Sequence, residues 1–326
     1  MAHGAHEVES IPLGTEVKLK KKPLSIRVGH AKYLYLLILP GLIWMIIFKY
    51  GPMYGAQIAF RDYMFNLGFW HSPWVGLENF ERMFIDPAFF RALRNTLIIS
   101  FGKIIWTFPV PILLALFFNE LRTGLFKKGL QTIYTFPNFL SWVTVAGIVL
   151  NVFGSRGAIN AVIQELGFER VRFLVSTDFF RPLIYISDNW KTAGWGSIIY
   201  LAAISGIDPA LYEAATIDGA GRWQKMLRIT LPSIRATIMI LLILNIGGLM
   251  NAGFDQVFNL YNPAVYETGD IIDTFIYRVT FQQGFTDYSF TTAVGLFKSV
   301  VNFLLIISAN RLGHALGQPT LTREAD

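Results

Sequence analysis

Apolar runs separated by polar stretches dominate the chain: Tyr33–Tyr50, Asn95–Phe118, Ile133–Phe153, Leu183–Ile204, Ile234–Phe254 and Phe290–Ala309. A helix needs roughly 20 apolar residues to cross the hydrocarbon core of a bilayer, so the pattern predicts about six spanning helices and an all-α membrane protein. Pro40 and Gly41 inside the first run, and Pro109 and Pro111 inside the second, predict kinks that neighbouring helices can repair. One polar stretch is patterned more strongly than the rest. It runs from Ile207 to Pro232 and reads IDPALYEAATIDGAGRWQKMLRITLP. Asp208 followed by Pro209 is an N-cap and first-turn pair, which predicts a short helix through Glu213, Ala214 and Ala215. Gly219 and Gly221 offer a turn, and Trp223, Met226, Leu227 and Thr230 then fall at i, i+3, i+4 and i+7 until Pro232 stops the second helix. Two short helices at an angle make a knob that suits another protein's cleft; a solvated loop between spans is the plainer alternative.

Charge orients the runs. Lys18, Lys20, Lys21, Lys22, Arg27 and Lys32 precede the first run, Arg122, Lys127 and Lys128 follow the second, Arg222, Lys225, Arg228 and Arg235 surround the patterned stretch, and Arg311 ends the last run. Basic residues stay on the cytoplasmic side, which predicts both termini and the knob inside. The loop Gly154–Pro182 breaks the rule with Arg156, Arg170, Arg172 and Arg181. The acidic loop Asp255–Tyr288 obeys it. Residues 1–32 read as a retained cytoplasmic tail with no cleavable apolar core, 33–313 as one membrane domain and 314–326 as a second cytoplasmic tail. The aromatic segment Gly51–Arg91, with Trp70 and Trp74, reads as an outer interfacial belt or a surface for a soluble partner.

Composition narrows the class. The chain is 53% hydrophobic, 15% aromatic and 15% charged, too apolar for a soluble domain of 326 residues. Its net charge of +6 is spent on orientation, so nucleic acid is not an expected partner. There are no cysteines, and the five histidines show no metal-ligand spacing, so no metal is expected. No phosphate loop, zinc helix or nucleophile elbow is present, which makes an enzyme unexpected. Paired carboxylates such as Asp270 and Asp273 lie in an external loop that could in principle host glycoside hydrolysis, against the plainer reading of an ordinary acidic loop.

Glu213, Ala214 and Ala215, then Asp218, Gly219 and Ala220, then Leu231 and Pro232, resemble the EAA loop of ABC importer permeases. PMYGAQIAFRDY (Pro52–Tyr63), WVGLENFERMF (Trp74–Phe84) and LRNTL (Leu93–Leu97) are similar to the carbohydrate-uptake, maltose-type branch, nearest to permease subunits of bacterial alginate importers. The resemblance covers about Tyr33 to Gly313. It implies the type I ABC importer permease fold, an inner-membrane location, and an oligo- or polysaccharide cargo such as alginate or another uronate glycan. It also implies a second homologous permease, two ATPase subunits carrying ATP and Mg, and a periplasmic or extracellular solute-binding protein. Residues 207–232 would then be the coupling loop, with Glu213 holding the partner, Ala214, Ala215 and Gly219 allowing close approach, and Trp223 and Met226 anchoring the second short helix.

Polar residues inside apolar runs are costly unless they face a bundle interior or water. Lys103, Asn151, Asn189, Lys191, Asn245, Asn251, Lys298 and Asn302 qualify, and Trp106, Trp190, Trp195 and Tyr200 offer stacking surfaces for sugar rings. Each has a structural alternative as a helix-packing asparagine, a snorkelling lysine or an interfacial tryptophan. An ATP-independent secondary transporter or channel, a permease for a non-sugar solute, and a membrane-embedded glycan enzyme are the competing readings.

Overall fold

The computed structural model describes residues 32–282, 287–315 and 317. The basic stretch Lys18–Lys22 and most of both expected tails lie outside the described residues. The chain divides into two units, Met1–Gly55 and Ala56–Asp326. In the first, α1 (Lys32–Met45) continues through a π turn, Ile46–Tyr50, and a helical turn, Gly51–Met53. Pro40 is accommodated inside α1. Tyr33, Leu37, Ile46 and Phe48 are among its many exposed apolar side chains, so this helix forms no core of its own.

Among the described residues the second unit has no strand beyond an isolated bridge between Arg61 and Trp74, and its regular elements are helices joined by turns and loops. Its helices include α2 (Glu78–Ile85), α3 (Pro87–Trp106), α4 (Pro109–Glu120), α5 (Leu125–Thr135), α6 (Trp142–Phe153), α7 (Ala158–Glu165), α8 (Thr177–Ser205), α9 (Pro209–Ile217), α10 (Arg222–Lys225), α11 (Arg235–Gly247), α12 (Phe254–Leu260), α13 (Ile272–Phe281) and α14 (Tyr288–Ala315). Among the described residues, four helical stretches are long and apolar enough to cross a membrane: Tyr33–Phe60, Pro87–Glu120, Trp142–Glu165 and Tyr288–Ala315. Six are reached if two bent pairs are each one span, Thr177–Ser205 with Pro209–Ile217 (73°) and Arg222–Ser233 with Arg235–Gly247 (58°). The pairing has a simple cause in α8, which carries Asp178, Arg181, Asp188 and Lys191 and is therefore less apolar than its length promises.

Several boundaries differ from the sequence reading, two of them through breaks inside an expected run. The expected run Ile133–Phe153 is broken, because Pro137 lies in a 3-10 turn, Phe136–Phe139, and Ser141 caps a fresh helix by accepting from Thr144 N at 3.2 Å. The run expected to end at Phe254 stops instead at Gly247, and Gly253, in the left-handed region at φ 97°, precedes α12. Three cores hold the unit. Ile99, Val145, Phe180 and Ile184 meet Val257 and Ile271. Met83, Phe89, Ile272, Phe275 and Phe290 form a second. Ala115, Leu116, Tyr200, Ile204 and Ile234 form a third, below the patterned stretch.

Candidate functional site

The patterned stretch folds as two short helices joined by a turn, α9 and α10. Asp208 caps α9, its Oδ1 accepting from Ala210 N at 2.9 Å, and Pro209 fills the first turn. The turn is a Schellman ending: Ala220 N donates to Ala215 O at 2.8 Å, Gly219 N donates to Thr216 O at 3.1 Å, and Gly219 takes φ 76°. The Asp-Gly-Ala triplet is thus a helix stop in which only the glycine fits without strain. Gln224 Oε1 accepts from Gly221 N at 2.8 Å at the start of α10.

Helix α10 does not end at Pro232. It opens into a π turn, Met226–Thr230, where Leu231 N reaches Met226 O, and continues through Leu231–Ser233 before bending. The wider turn lies just ahead of the proline, where a regular turn would crowd the ring. Two side-chain links bind the helices to one another. Tyr212 OH and Thr230 Oγ1 are 2.9 Å apart, and Lys225 Nζ donates to Thr216 Oγ1 at 2.6 Å.

Glu213, Ala214, Asp218 and Gly219 are exposed, and the Glu213 carboxylate makes no hydrogen bond or ion pair with any described residue. Ala215 and Ala220 are half-buried. Met226 packs on the third core, and Trp223 is 74% exposed. Ile217, Leu211 and Leu227 are also exposed, so the knob presents a carboxylate within an apolar surface. Beside it lies a cavity of about 320 Å³ whose walls include Leu113, Phe117, Glu120, Trp223 and Met226.

The polar residues of the apolar runs fall into two groups. In the first, the polar atoms serve the chain itself. Lys191 is buried and donates from Nζ to Asn138 O at 2.8 Å and Leu140 O at 2.6 Å, closing the break before α6, with the Trp142 ring 5.5 Å away. Asn302 Oδ1 accepts from Met250 N at 3.0 Å and ties α14 to the break after α11. Asn151 and Asn245 donate to Gly147 O and Leu241 O within their own helices. Lys298 pairs with Asp273 at 2.5 Å. In the second group, polar atoms meet near a half-open surface. Lys103 Nζ lies 3.2 Å from Asp188 Oδ1 and 2.7 Å from Gln256 Oε1. Asn251 is exposed on the same chain break as Gly253, and Trp190 lines an apolar cavity with Phe153 and Ile186.

Sequence reasoning missed Asp188 and Gln256. Asp188 carried the same signal as Lys103, a charge inside an apolar run, whereas Gln256 lies past the run's expected end and gave none.

The loop carboxylates are not a catalytic pair. Asp270 is fully buried and held by Arg278 at 2.8 and 2.6 Å, while Asp273 is tied to Lys298. The hydrogen bonds that Arg278 donates to Asp270 hold its guanidinium above its usual value, and burial pushes the nearby Tyr261 phenol up to about 12. Among the described residues, no three His, Asp or Glu side chains converge as metal ligands.

The chain is 47% identical over 304 residues to the polygalacturonan/rhamnogalacturonan transport system permease protein YteP of Bacillus subtilis, covering 92% of this chain and 94% of that one. It is 47% identical to Protein LplB of the same organism, over 89% and 91% of the two chains. Its fold superimposes with a TM-score of 0.84 on a chain of a bacterial alginate ABC transporter crystallised with an alginate pentasaccharide-bound periplasmic protein, at 40% identity and covering 91% of this chain and 99% of that one. Residues 104–318 match the family described as binding-protein-dependent transport system inner membrane component, and the chain belongs to that family.

Proposed function

We propose that the chain is the membrane-spanning permease subunit of an ATP-driven importer for uronate-containing oligo- or polysaccharides. The observation that carries this reading is near full-length likeness, at 47% identity, to a permease of polygalacturonan and rhamnogalacturonan transport. In this reading the knob Pro209–Thr230 faces the cytoplasm and docks on an ATPase subunit, with Glu213 supplying charge and Trp223 and Ile217 apolar contact. Both termini are cytoplasmic. The chain itself does no chemistry. ATP and Mg are held by two ATPase partners, a second homologous permease completes the pathway, and a solute-binding protein delivers the glycan outside. Closure of the ATPases moves the knob as a lever, and the two permeases rock between inward-open and outward-open states.

The test is co-purification of the complex from membranes, followed by ATPase assay with the loaded binding protein. Stimulation by oligogalacturonate or alginate oligomers supports the reading, and a complex without any associated ATPase overturns it.

A further inference from the structure

Lys103 sits at the midpoint of the Pro87–Glu120 span, and Asp188, on α8, faces it. A charge at this depth is expensive against lipid, yet the two side chains keep 19% and 13% of their exposure. Their open side, like the exposed Asn251, therefore suits a water-filled pathway better than a lipid-facing surface. The two acceptors of Lys103 differ in how firmly they are fixed. Gln256 is buried and immobilised by its own amide, which donates to Ile184 O at 2.7 Å and Ser187 Oγ at 2.9 Å, so its Oε1 is aimed at Lys103 permanently. Asp188 Oδ1 makes the longer contact, 3.2 Å, and among the described residues its carboxylate receives no other hydrogen bond. Gly253 lets the backbone come close to the ammonium, since a Cβ there would lie 2.9 Å from Nζ. An ammonium has three donors, and here two are used.

We propose that Lys103 and Asp188 form an exchangeable pair that selects acidic glycans: a uronate carboxylate displaces Asp188 from Lys103 as the chain of sugars passes, while Gln256 keeps the ammonium in place. Asp188 is then a specificity-determining residue that keeps the site neutral between passages, so that the cargo is recognised without being trapped. This rests on the reading of the chain as a uronate-glycan permease.

The experiment uses the complete complex in lipid nanodiscs with its loaded binding protein, and tetragalacturonate as probe. Lys103→Met raises the concentration for half-maximal ATPase stimulation about tenfold, whereas Asp188→Asn lowers it about threefold and slows turnover, because the freed ammonium holds the carboxylate longer. A merely structural ion pair would make both variants worse in the same direction, and that result overturns the proposal. A second measurement needs no sugar. The chain has no cysteine, so Asn251→Cys can be labelled selectively with anionic and cationic methanethiosulfonates, against a complex lacking that cysteine. Adding Asp188→Asn raises the anion-to-cation rate ratio about fivefold, and adding Lys103→Met lowers it. An unreactive Asn251→Cys, or a ratio indifferent to both changes, overturns the exchange site while leaving the importer reading intact. Normal labelling with no stimulation by tetragalacturonate overturns the uronate cargo, and the exchange site with it.

Discussion

Removing Arg278 should be among the most damaging single changes outside the spans. Asp270 has no exposure, and its two oxygens accept from Arg278 Nη1 and Nη2 at 2.8 and 2.6 Å. Thr274 Oγ1 donates to Oδ1 at 2.9 Å, and the next cation, Arg91, is 3.8 Å away with 38% of its side chain exposed. Arg278→Met keeps much of the side-chain length but leaves a buried carboxylate with one hydroxyl and one distant cation. Breaking a buried pair in this way costs about 3 to 5 kcal/mol, and the remaining partners place this case near the lower figure, about 3 kcal/mol. If the pair is lost in the unfolding transition state, the half-life of the folded complex at elevated temperature shortens about a hundredfold. The assay is the fraction of detergent-solubilised complex that stays monodisperse with time at one temperature. Asp270→Leu with Arg278→Met should recover part of the loss, since no buried charge remains.

The sign of the pH dependence is also determined for the arginine. Its value is raised, so its contribution is present below the unfolded value and is lost only in strong alkali; between about pH 6 and 9 the wild-type half-life should owe no change to Arg278. A half-life within about threefold of wild type for Arg278→Met would refute the reasoning, because the buried carboxylate would then have another partner.

Lys191→Met should uncover the carbonyls of Asn138 and Leu140 at the break before α6, costing about 2 kcal/mol and visible as a shorter half-life in the same assay. Gly219→Ala forces φ 76° on a residue with a Cβ that has open space around it, so the cost is conformational, about 1 kcal/mol, and should appear as faster proteolysis at the knob. Trp223→Ala should leave the half-life of the isolated permease unchanged, because the side chain is 74% exposed, and should weaken recovery of the ATPase subunit in pull-down.

Apolar periodicity made most of the fold legible, because a helix in lipid must satisfy its own backbone and so shows itself as a run of apolar residues. The breaks were harder. Pro137 and Ser141 break the run Ile133–Phe153 through turn and cap geometry that a count of apolar residues does not show, and the segment after the stop at Gly247 is held by Asn302, some fifty residues on, which accepts from Met250 N. At the knob, Asp208, Pro209 and Gly219 could be read correctly because caps and turns are local. The stripe gave no direction, since an i, i+3, i+4 spacing is the same whether it faces core or open surface: Met226 packs on the third core and Trp223 is 74% exposed. The polar residues of the spans divide by their partners, which the sequence does not pair. Lys103 and Lys191 look alike as lysines in apolar runs, yet one meets a carboxylate near an open surface and the other closes two backbone carbonyls.

The central claim is that the knob couples this chain to an ATPase. The most direct measurement is ATPase activity of the complex isolated through the permease, wild type beside Glu213→Arg, with the binding protein and a panel of neutral and uronic oligosaccharides. The exposed, unpaired carboxylate of Glu213 predicts that uronic sugars stimulate the wild type and that the charge reversal abolishes stimulation without shortening the half-life of the permease. Equal stimulation in wild type and variant would contradict the claim.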